Sequence, residues 1–94
     1  MNKSAQFYFA NLGADVVRCA TAAEAGDESR YQSSLKRAMS TLEHLRAAKR
    51  PEAYEEGVRM MQALEYARSS GDLNKFKRGV SDVVAPFAAA IASS

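Results

Sequence analysis

Apolar positions recur every three or four residues along most of the chain. Phe9, Leu12, Val16, Cys19 and Ala23 are spaced 3, 4, 3, 4. Tyr31, Leu35, Ala38, Leu42 and Leu45 follow 4, 3, 4, 3. Leu73, Phe76, Val80, Val83, Phe87 and Ala90 keep the same alternation. Tyr54, Val58, Met61, Leu64 and Ala67 share one face less regularly. Each set is an apolar stripe on a helix, and no period-two run competes for a strand.

Turn chemistry divides the stripes. Gly26-Asp27 suits a left-handed helix end followed by an aspartate N-cap, and Gly71-Asp72 repeats the pair. Pro51 fits a first helical turn, with Glu52, Glu55 and Glu56 near the positive end of that helix dipole. The predicted helices are at about 3–25, 28–49, 51–69 and 73–92. Four helices of similar length joined by tight loops predict an all-α, antiparallel up-down-up-down four-helix bundle. It would consist of two helical hairpins in a single domain over 1–94. Pro86 conflicts with the fourth helix, where it removes the hydrogen bond to Asp82 and predicts a kink or a break.

Composition narrows the class. With 94 residues, 47% hydrophobic and 26% charged, the chain has the make-up of one small globular domain rather than a disordered or fibrous segment. One cysteine excludes an internal disulfide framework and a multi-cysteine zinc site. A free thiol also suits a reducing, cytoplasmic compartment. The four-residue apolar run Phe7 to Ala10 is too short for a signal-peptide core. The uncharged stretch after Asp82 is too short to span a bilayer, so no membrane segment is expected.

Catalytic groups are scarce. His44 is the only histidine and falls off the apolar stripe, with no serine or cysteine paired to it by motif. The dipole accounts for Glu52, Glu55 and Glu56 without a metal, and Cys19 lies on the core stripe. No metal, cofactor or enzymatic activity is expected. The net charge of +2 points to no partner, and the basic clusters at Lys36-Arg37, Arg46 to Arg50 and Lys75 to Arg78 are diluted by acids. Aromatic residues fall mainly on core positions rather than between the basic ones, so no nucleic-acid surface is expected.

Two segments carry a resemblance. Leu64-Glu65-Tyr66-Ala67-Arg68-Ser69-Ser70-Gly71-Asp72 looks like the last hairpin of the histidine-containing phosphotransfer domain of bacterial phosphorelays. Leu35-Lys36-Arg37-Ala38-Met39-Ser40-Thr41-Leu42 resembles the helix that presents that family's phosphorylated histidine. In this register Ser40 stands where the histidine belongs, and Glu43-His44 replaces the family's Lys-Gly. The resemblance implies a bacterial four-helix phosphorelay protein. It would act through a displaced acceptor at His44 or be a catalytically dead relative used for docking.

Charge is unevenly distributed. The second and third helices carry most of it, whereas the first has few charges and the fourth has none after Asp82. In an up-down bundle the first and fourth helices are neighbours. That would bring Phe7, Tyr8, Ala10, Ala14 and Val17 beside Val84, Ala88 and Ile91. These residues lie off or at the edge of the stripes and predict an apolar contact face. A homodimer or a docked helical protein would cover it; the alternative is that they thicken the bundle's own core. The expected function is a non-enzymatic protein–protein interaction module, whether adaptor, chaperone-like cap or regulatory accessory.

Overall fold

Ser4 starts the first helix. Its hydroxyl accepts a hydrogen bond from the Phe7 amide, satisfying a donor that the first turn leaves open. In the computed structural model, which describes residues 4–93 and the side chains of 4–86, this helix, α1, spans Ala5–Glu24. Gly26 follows in the left-handed region at φ 69°, a conformation that glycine adopts without a Cβ penalty. Asp27 then caps α2, Glu28–Ala47, by accepting from the Arg30 amide. Pro51 opens α3, Pro51–Ser70, and Gly71 closes it at φ 83°. The fourth helix, α4, covers Leu73–Ser93.

Two details differ from the pattern. α2 stops at Ala47 rather than 49, and Lys49 takes a positive φ of 61°. Arg50 precedes a proline and so avoids helical geometry, which leaves Lys49 to make the reversal. α4 is not broken at Pro86. Asp82, whose carbonyl loses its amide partner there, is exposed, so water can take that bond.

The four helices form a bundle with α1 in its middle. α1 meets all three others, most extensively α2 and α4, whereas α2 and α4 are not in contact among the described residues. The core runs through Phe9, Leu12, Val16 and Cys19 of α1 and Tyr31, Ala38 and Leu45 of α2. Met60, Leu64 and Ala67 of α3 and Leu73, Val80 and Val84 of α4 complete it. Residues early in α1 meet residues late in α2: the rings of Tyr8 and His44 lie 5.3 Å apart, and Asp15 bonds Thr41. Across α1 and α4, Glu24 pairs with Lys77 and Gly13 faces Val84. Arg68 of α3 pairs with Glu28 of α2 and lies 3.9 Å above the Tyr31 ring.

Two core stripes are turned from the predicted ones, each by a glycine. On α3 the buried set is Gly57, Met60, Leu64 and Ala67, with Tyr54, Val58 and Met61 half-buried. A Cβ on Gly57 would come within 2.9 Å of both Leu12 and Leu42, so its absence lets α3 settle deeply against α1 and α2. On α4 Val84 is buried and Val83 is 53% exposed, the reverse of the predicted order. Gly13 leaves the notch that Val84 fills: a Cβ there would lie 2.5 Å from Val84 Cγ2. Seating Val84 turns Val83 outward.

Candidate functional site

The α1–α4 seam is closed where Val84 meets Gly13. Of the α1 residues expected on an open face there, Ala14 is exposed, and Phe7, Tyr8, Ala10 and Val17 are half-buried. Val84 is a correction: it is a core residue seated against Gly13 and is not available to a partner. The Tyr8 ring turns toward α2 and stacks on His44, while Phe7 meets its edge at 5.5 Å. Ala88 and Ile91 lie outside the residues whose side chains are described. Among the described residues this seam therefore does not gather into one apolar patch.

The α1–α2 seam holds a polar cleft of about 630 Å³, lined in part by Tyr8, Asp15, Lys36, Arg37, Thr41 and His44. Asp15 is buried at its floor. Its carboxylate accepts from Thr41 Oγ1 at 2.8 Å and from Arg18 at 3.0 Å, so both oxygens are satisfied. Burial pushes the adjacent Cys19 thiol up to about 11, and the Asp15 charge adds to the rise. A thiol so shifted stays protonated and inert at neutral pH. His44 is exposed, and its Nδ1 lies 2.9 Å from the Ser40 carbonyl oxygen. A carbonyl only accepts, so Nδ1 carries the proton and donates, leaving Nε2 as the second ring position.

The third seam is open. α3 meets α4 far less extensively than α1 meets α2 or α4. Between them runs a groove of about 730 Å³. Phe9, Met60, Ala67 and Val80 contribute buried surface to it, and Tyr66 and Val83 flank it at 76% and 53% exposure. Glu56 pairs with Arg59 along its lining, and Asp72 and Lys75 stand nearer the α3–α4 turn. At the far end of α3, Glu52 accepts from Arg50 at 2.7 Å, which holds its carboxyl below the usual range. Among the described residues no three histidine, cysteine, aspartate or glutamate side chains converge as a metal site requires. Nor is any helix long and apolar enough to cross a membrane.

No protein-family model, curated protein or solved structure matches the chain. The functional reading therefore rests on the three seams. Periodicity alone missed the third, because Val83 continued the stripe as well as Val84 did. The available signal was Gly79, a glycine in mid-helix with no turn to make.

Proposed function

We propose that this chain is a non-enzymatic protein–protein interaction module that receives a helical segment in the α3–α4 groove. The observation that carries the reading is the placement of exposed apolar side chains. Met39, Tyr66 and Val83 are the large exposed hydrophobic residues among those described, and two of the three flank one apolar groove. Apolar surface gathered beside a concave seam, with charges at its edge, is the anatomy of a docking site. The reading includes an antiparallel up-down-up-down course for the helices, supported by short connections and by the Tyr8–His44, Asp15–Thr41 and Glu24–Lys77 contacts. The free buried thiol of Cys19 supports a reducing compartment such as the cytoplasm.

The test is capture of partners from the native host by the wild type and by three variants. Val83→Glu places a charge beside the groove, and Met39→Glu alters an exposed apolar residue on α2. The groove reading expects a partner lost with Val83→Glu and retained with Met39→Glu. A partner retained by Val83→Glu but lost with Val17→Glu would return the site to the α1–α4 face.

One observation favours a second reading, phosphotransfer in the manner of the resembled family. His44 is exposed, and its Nδ1 is oriented by the Ser40 carbonyl, which holds the ring in one tautomer. Acetyl phosphate would transfer its phosphoryl group to the imidazole and release acetate. Label that appears in the wild type and vanishes in His44→Ala supports this reading; an unlabelled wild type rejects it.

A further inference from the structure

The five glycines separate by cause. Gly26 and Gly71 hold positive φ angles. Gly13 and Gly57 stand where a Cβ would strike Val84, Leu12 and Leu42. Gly79 has neither reason: its φ is not in the left-handed region, and a Cβ there would meet nothing within 4 Å. It is exposed in the first half of α4, where glycine is the poorest helix former after proline. It also lines the α3–α4 groove beside Lys75, Phe76 and Val83. Nothing inside the chain uses the missing side chain, whereas a backbone approaching from outside would.

The charges around Gly79 narrow the choice of occupant. Lys75, Gly79, Asp82 and Pro86 are spaced 4, 3, 4 and are all exposed, so they form one outward stripe of α4. Among the described residues neither Lys75 nor Asp82 has an ion-pair partner. The stripe thus presents one free cation and one free anion on opposite sides of a glycine, nearly equidistant from it.

We propose that a second copy of this chain occupies this face, with the two α4 helices antiparallel and crossing at Gly79. The proposal rests on the groove reading above, whose lip the stripe shares through Lys75 and Gly79, and names the occupant. A two-fold axis at Gly79 sets position 75 of one copy against positions 82 and 83 of the other. Lys75 then meets Asp82 of the second copy, and symmetry repeats the pair. The stripe is self-complementary, as an isologous contact requires. A parallel alignment would instead set Lys75 against Lys75. Glycine at the crossing lets the backbones close, and the pairing covers Val83 while Tyr66 walls the groove.

Sedimentation velocity over a concentration series into the millimolar range tests this on the intact chain. The wild type is expected to dimerise. Lys75→Glu and Asp82→Lys should each weaken dimerisation about tenfold or more, since each sets like charges together twice. The variant carrying both substitutions should recover it, because the pair is remade with reversed sign. Gly79→Leu should abolish it while circular dichroism remains helical. The proposal is overturned by a wild type that stays monomeric, by single variants that dimerise normally, or by a double variant no better than the singles. A monomeric chain whose captured partner is still lost with Val83→Glu overturns self-pairing and retains the groove with a foreign helix in it.

Discussion

α4 has two flanks, and each carries a glycine story. On the α1 side, Gly13 of the neighbouring helix makes room for Val84, and the seam closes to van der Waals contact. On the α3 side, α4 itself carries Gly79, yet the seam stays open and a Cβ there would meet nothing. The same residue type thus has an internal cause on one flank and none on the other. A missing side chain matters only through what approaches it. Where nothing in the chain approaches, the proposed cause is a second copy of the chain.

The contrast can be broken most forcefully in the closed region. Leu12 is fully buried where α1 meets its neighbours, and Leu12→Ala should cost about 2–5 kcal/mol, whereas Tyr66→Ala beside the groove should cost about 0.5 kcal/mol or less. Urea denaturation of the two variants measures the difference, and equal losses would mean that the groove is packed in solution. Gly13→Ala comes next. Its Cβ would press on a stiff β-branched valine, and a loss of about 1–3 kcal/mol is expected.

Thr41→Val sharpens the α1–α2 side of the picture. It leaves the buried Asp15 carboxylate with Arg18 as its remaining partner and should cost about 1–3 kcal/mol. Thermal unfolding of Thr41→Val beside Asp15→Asn would show whether the loss comes from the stranded charge. The smallest effect concerns Cys19. Its thiol ionises near 11 when folded against an ordinary value of 9.0, so the unfolded chain releases that proton first as pH rises. Its contribution to stability is complete below pH 9 and fades through pH 11. The urea midpoint of the wild type should therefore fall more steeply over that window than that of Cys19→Ala.

Much of the architecture was legible because helix periodicity and turn chemistry agree. The stripes of α1 and α2 are met at Phe9, Leu12, Val16, Cys19, Tyr31, Ala38 and Leu45, all buried. The misreadings arose where two neighbouring positions fit the same period. Val83 and Val84 both continue the α4 stripe, and the choice between them was made by Gly13 on a helix some seventy residues away in the chain. Met60 and Met61 posed the same ambiguity, resolved by Gly57. Asp15 was hidden for a different reason. Its burial depends on Thr41 from another helix supplying a hydroxyl, and no local pattern announces that. Charge depletion pointed to the α1–α4 face; there Val84 is seated against Gly13 in the core, and Val83 lines the α3–α4 groove instead.

Gly79→Ala tests, with one paired measurement, whether Gly79 answers to a neighbour outside the chain. Stability is read at a concentration low enough to hold the chain monomeric, and the dimer dissociation constant is read by sedimentation. Alanine should stabilise the isolated helix by up to about 1 kcal/mol, because nothing in the chain obstructs its methyl group. The same methyl group should weaken self-association. Opposite signs in the two readings are the expected result. A variant that is more stable and associates at least as tightly as the wild type would contradict the account.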